Sequence, residues 1–77
     1  MEIQLQLYSI LRDKLPHDAK GSTVLQLDDG AKLADILDGL GIKQRVVISV
    51  NGAVISDTSH LLSEGDEVKM FTSISGG

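Results

Sequence analysis

The sequence predicts an α+β fold, a mixed sheet of about five strands curled as a roll over one main helix. Three observations predict it. Apolar and polar residues alternate from Met1 to Leu7, which is the period of a half-buried strand. Leu33, Ile36, Leu37 and Leu40 fall at i, i+3, i+4 and i+7, making one apolar helical stripe. Asn51-Gly52 separates two apolar runs, and that pair favours the two-residue hairpin turn with φ > 0 at both positions. Two hairpins with a helix between them give an α+β roll rather than a parallel layered sheet.

Each element follows from local pattern. In the first strand Ile3, Leu5 and Leu7 face one way and Glu2, Gln4 and Gln6 the other. From Tyr8 to Leu15 the period changes; Ile10, Leu11 and Leu15 fit the apolar side of a short helical segment, which Pro16 stops. His17 to Gly21 is a polar turn. Ser22 to Leu27 is a second strand with Leu25 and Leu27 inward, ended by Asp28-Asp29-Gly30. The helix runs from Lys32 to Leu40; Asp29 is the candidate cap, Gly39 and Gly41 suit the helix end, and Ile42 folds back onto it.

Val46 to Val50 is a β-branched run expected to be buried on nearly both faces. The hairpin leads into Ala53-Val54-Ile55. Ser56 to Leu62 is a connector with one helical turn burying Leu61 and Leu62, and Glu64 to Glu67 is a turn. The last strand is Val68 to Ile74, so the folded domain is residues 1–74 and the tail is residues 75–77. If the first and last strands are central and parallel, the core is Ile3, Leu5, Leu25, Leu27, Leu33, Ile36, Leu37, Val46, Ile48, Val50, Val68 and Met70.

Composition narrows function. At 77 residues a chain buries roughly 60% of its unfolded surface; it holds one modest core and no deep cleft between domains. Seven basic residues against eleven acidic give a net charge of −4. That charge disfavours nucleic acid and anionic membranes and suits a basic protein partner. The only aromatics are Tyr8 and Phe71, too few for base stacking. No cysteine is present, which removes disulfides and thiolate chemistry. No stretch approaches the ~20 apolar residues of a membrane span. The N-terminus alternates at once and shows no signal pattern, so the expected location is the cytoplasm.

Side-chain catalysis finds no constellation. His17 and His60 sit in polar loops without metal-ligand spacing. Asp28-Asp29 and Glu64/Asp66/Glu67 do not match a calcium loop. No nucleophile elbow or phosphate loop occurs. The chain is therefore expected to bind no metal and no cofactor and to be non-catalytic alone.

The terminus carries the chemistry instead. Glycine has no Cβ, so Gly76-Gly77 passes a narrow channel without clashing. Ile74 to Gly77 fully extended spans roughly 13–14 Å, enough to reach into a partner's active site. A C-terminal carboxylate has a pKa of about 3.3–3.7 and is unreactive as the anion. Adenylation by ATP on a partner enzyme would supply a leaving group. Sulfide attack would then give a thiocarboxylate, and amine attack an isopeptide bond. Phe71 should face outward, since Val68 and Met70 alternate inward, and an exposed Phe beside the tail marks a docking patch. Ile74 and Ser75 share that partner-binding role.

These residues resemble the ubiquitin-like β-grasp sulfur-carrier family over nearly the whole chain. The resemblance rests on Leu7-Tyr8-Ser9-Ile10-Leu11-Arg12-Asp13, Leu33-Ala34-Asp35-Ile36-Leu37, Val50-Asn51-Gly52, Glu64-Gly65-Asp66-Glu67-Val68 and Ser75-Gly76-Gly77. Within the family the chain is most similar to the small subunits of molybdopterin synthase, because of the helical segment after the first strand. It has Thr72-Ser73-Ile74 where those carriers often have prolines. The resemblance implies that a ubiquitin-activating-like adenylyltransferase uses ATP to adenylate Gly77. Conversion to a thiocarboxylate follows, with Gly76 keeping the tail slim. The large synthase subunit would take the sulfur for molybdenum-cofactor synthesis. The alternatives are a carrier for thiamine synthesis, with thiazole synthase as partner, or for tRNA thiolation, a ubiquitin-like protein modifier, and a passive β-grasp binding module.

Overall fold

The computed structural model describes residues 1–72, the side chain of His17 excepted. Five strands form one sheet: β1 (Glu2–Leu7), β2 (Ser22–Gln26), β3 (Val46–Val50), β4 (Ala53–Ile55) and β5 (Glu67–Thr72). Their spatial order is β2-β1-β5-β3-β4. β1 and β5 are central and parallel, with Leu5 opposite Val68 and Leu7 opposite Met70. All other pairings are antiparallel. The expected mixed roll is the observed one.

The register puts every inward side chain of the central strands on one face. Ile3, Leu5, Leu7, Val68 and Met70 are buried there, with Ile48 and Val50 from β3. Leu33 and Ile36 of the helix α1 (Leu33–Leu40) cover that face, while Leu37 and Leu40 pack at its margin. An eight-residue helix is marginal by propensity, so this burial is what holds it. Leu25, Leu27 and Val46 pack against the core half-buried. Leu7, Leu11, Ile42 and Leu62 join the core in addition to the expected set.

Four local expectations are corrected. The segment after β1 is 3₁₀ over Ser9–Lys14, and its tighter period turns Ile10 out to solvent (65% exposed) while Leu11 is wholly buried. No helical turn forms over 56–62, and Leu61 is exposed while Leu62 is buried. That connector instead lies along the helix start: the Leu33 and Ala34 N–H groups donate to the His60 and Thr58 carbonyls at 3.1 and 2.9 Å. Asp29 does not cap the helix. Lys32 is the capping residue, and its N–H donates to the Asp35 carboxylate at 2.8 Å, one half of a capping box. Finally, β3 is buried on both faces only from Ile48 onward, since Val47 is exposed.

The ends of elements behave as their residues require. Asn51 (φ 53°) and Gly52 (φ 86°) make the hairpin turn with both φ positive. Gly41 ends α1 in the left-handed region, and Ile42 donates back to the Leu37 carbonyl at 2.9 Å and is buried. Gly21 is held tightest. Its carbonyl accepts from the Leu7 N–H at 2.7 Å, and a Cβ there would lie 2.7 Å from the Leu7 carbonyl oxygen. β5 is described to Thr72; the domain boundary at residue 74 lies outside the described residues.

Candidate functional site

The candidate site is the end of the sheet at which β1 and β5 stop. Of the five residues expected to serve the terminal chemistry, Phe71 is described, whereas Ile74, Ser75, Gly76 and Gly77 lie outside the described residues. β5 stops at the end where β3 begins, because Val46 pairs with Thr72 and Val47 with Phe71. Being central, β5 brings its C-terminal end between β1 and β3. β1 pairs with β5 as far as Met70, and Thr72 is paired to Val46 of β3.

Phe71 faces the outer side of the sheet, as the alternation of β5 requires, and is 37% exposed. Tyr8 partly covers it. The parallel pairing continues one residue past β1, where the Tyr8 N–H donates to the Met70 carbonyl at 3.1 Å. This sets Tyr8 beside Phe71, with ring centroids 4.7 Å apart and planes within 5°. A stacked aromatic pair adds about 0.5–1.5 kcal/mol beyond its area burial, so the Phe71 ring is held rather than loose. Exposed Val47 is its partner on β3. Sequence reasoning found Phe71 but missed Tyr8. The signal was available: the two aromatics sit one residue beyond the paired Leu7 and Met70.

Two further polar clusters serve the fold. The Asp66 carboxylate accepts from the Asn51 side-chain amide at 2.9 Å and from the Ser63 N–H at 2.8 Å. The Asn51 side-chain oxygen accepts from the Glu67 N–H at 2.9 Å. This ties the β3–β4 turn to the start of β5, a role the acidic cluster did not reveal in the sequence. Asp57 accepts from the Ser59 hydroxyl at 2.6 Å and the Ser59 N–H at 2.9 Å; these bonds lower its pKa. Among the described residues no group of three or more His, Asp or Glu is placed to hold a metal ion. No helix among them is long and apolar enough to cross a membrane.

Known proteins match this arrangement. The pattern of the ThiS family matches residues 6–77. No curated protein matches the chain. Among solved structures, a putative molybdopterin converting factor subunit 1 from Pyrococcus furiosus is similar over 96% of this chain and 99% of its own, at 17% identity and TM-score 0.77. Small archaeal modifier protein 1 from Haloferax volcanii is similar over 95% of this chain and 98% of its own, at 16% identity and TM-score 0.75. A chain in a complex of subunits 1 and 2 of the molybdopterin-converting factor from Helicobacter pylori is similar over 100% of this chain and 100% of its own, at 18% identity and TM-score 0.62. At these identities the likeness is one of fold, and that fold is the β-grasp.

Proposed function

The chain belongs to the ThiS family of β-grasp sulfur carriers, and from that premise we propose that Gly77 is the group it loads. The observation that supports this most is positional. The last described strand is central, ends beside the stacked Tyr8–Phe71 pair, and precedes Gly76-Gly77 by a few residues. In the proposed cycle the Gly77 carboxylate attacks the α-phosphorus of ATP on an adenylyltransferase and pyrophosphate leaves. A hydrosulfide-level sulfur donor then attacks the acyl carbon, AMP leaves, and the thiocarboxylate remains. Gly76 keeps the approach narrow, and Phe71, Ile74 and Ser75 contact the partner. The chain binds no cofactor of its own in this scheme, ATP belongs to the activating enzyme, and the cycle we propose runs in the cytoplasm.

The acceptor we propose is the large subunit of molybdopterin synthase, which would take the sulfur for the molybdenum cofactor. The support is the fold shared with subunit 1 of molybdopterin converting factors, in one case within a complex with subunit 2. The likeness to a small archaeal modifier protein favours a second reading, in which a lysine amine replaces sulfur at the same acyl carbon. The test is the mass of the C-terminal peptide after incubation with ATP, a sulfur donor and cell extract. Exchange of one oxygen for sulfur at Gly77 is expected. An unchanged carboxylate, while a control carrier is converted, overturns the carrier reading. A branched peptide joining Gly77 to a lysine selects the modifier.

A further inference from the structure

Sheet topology sorts the charges of this chain along its strands. Where β1 and β5 end and β2 and β3 begin, the connecting segments 8–21 and 41–45 carry Arg12, Lys14, Lys20, Lys43 and Arg45, all exposed. These are five of the seven Lys and Arg residues, against Asp13 and Asp18 in the same segments, with Asp38 in the last turn of α1 and Asp57 just past β4 the other carboxylates toward this end. The opposite end of the sheet carries Glu2, Asp28, Asp29, Glu64, Asp66 and Glu67 beside Lys32. A chain of net charge −4 therefore has one cationic end, and it is the end at which β5 stops. Lys14 Nζ reaches the Gly41 carbonyl at 3.4 Å, which joins the two cationic segments. Exposed Ile10, Val47 and the Tyr8–Phe71 pair belong to the same end. An apolar centre with a charged rim is the anatomy of a protein interface.

We propose that this cationic end is a docking surface for a protein partner whose facing surface is rich in carboxylates. The inference rests on the carrier reading for one point only, that this partner receives the C-terminal glycines. Charge complementarity selects the occupant. The cations are spread over two segments around an apolar centre, which fits a broad acidic surface rather than a single phosphate. The acidic far end is repelled by the same partner, so the field of the whole chain turns its cationic end forward during encounter. This corrects the composition argument: net charge alone pointed to a basic partner, whereas the charge at the docking end points to an acidic one.

The test titrates the ¹⁵N-labelled full chain with a ten-residue oligoglutamate peptide. Amide shifts confined to residues 8–21, 41–47 and 71–72 are expected, with a midpoint that weakens about tenfold between low and physiological salt. Lys43→Glu/Arg45→Glu should abolish them; Lys32→Glu/Lys69→Glu, with the same change in net charge, should not. Shifts at both ends of the sheet, or shifts that survive Lys43→Glu/Arg45→Glu, overturn the surface. So does inorganic pyrophosphate acting at lower concentration than the peptide, which would indicate a phosphate site. A second arm measures thiocarboxylate formation in extract for the same three proteins. Slowing of about tenfold in Lys43→Glu/Arg45→Glu alone is expected. Equal rates in all three overturn the surface and leave the carrier reading intact. No thiocarboxylate in any of them, with the peptide result as expected, overturns the carrier reading and leaves the surface standing.

Discussion

Single residues hold this fold at points where the backbone has no freedom to give. Gly21 has φ +82°, and an added Cβ would meet the Leu7 carbonyl at 2.7 Å and the Arg12 side chain at 2.9 Å. Arg12 can move; the Leu7 backbone, paired inside the sheet, cannot. Gly21→Ala should therefore cost at least about 2 kcal/mol, read as a lower urea midpoint. Gly39 is the control. It lies in α1 with nothing within 4 Å of a built Cβ, so Gly39→Ala should stabilise by about 0.5–1 kcal/mol. Asn51 presents a different constraint. Asn51→Ala leaves one Asp66 oxygen and the Glu67 N–H without their partners, and the expected loss is about 1–3 kcal/mol. Asp57 is an exposed case with a pH signature. The Ser59 hydroxyl and N–H bonds, and to a lesser degree the nearby His60 charge, favour its ionised form and outweigh desolvation. Its folded pKa is below the unfolded one, so the contribution is present above the unfolded pKa and lost as pH falls through the folded pKa. Carboxyl NMR should show Asp57 titrating below the ordinary aspartate range, and Ser59→Ala should move it back up.

At the scale of elements, what was legible in the sequence is what period and turn chemistry encode. β1 was readable because Ile3, Leu5 and Leu7 alternate without interruption, and the β3–β4 hairpin because Asn51-Gly52 tolerates positive φ. The helix end was readable from Gly41 and Ile42. The segments that misled are those whose period is neither 2 nor 3.6. In the 3₁₀ stretch Ser9–Lys14, helical spacing grouped Ile10 with Leu11 as inward residues; three residues per turn buries one and exposes the other. The connector 56–62 misled because its backbone pairs with the start of α1 rather than with itself, and no local pattern reports a non-local partner. The same reason hid the Asn51–Asp66 tie, whose members are 15 residues apart. The 3₁₀ correction is directly testable. Leu11→Ala should cost about 2–5 kcal/mol, as for a fully buried leucine. Ile10→Ala should change stability by less than about 0.5 kcal/mol, as for an exposed side chain. Equal effects on the denaturation midpoint would return Ile10 to the core.

For the whole molecule, the architecture separates what folds from what reacts. Among the described residues, the core cluster draws its buried side chains from Ile3 through Met70. β5 is fixed by pairing on both sides, to β1 through Gln4–Leu7 and to β3 through Val46–Val50. The described core and strand pairings account for the fold through β5, whereas the proposed chemistry depends entirely on the final glycines. Deleting Gly76-Gly77 should leave the denaturation midpoint unchanged within error and abolish thiocarboxylate formation in the same extract. Replacing Gly77 by a residue with a long side chain should have the same effect if the terminus passes through a narrow channel. A passive binding module would keep its fold as well, and would also keep its partner after the deletion. The test is decisive because the sheet isolates its two readouts. A destabilised deletion variant would mean that the terminus contributes to folding, and loss of transfer could then no longer be assigned to the missing carboxylate. Unchanged stability together with lost transfer assigns the function to the terminal glycines rather than to a loss of the fold that carries them.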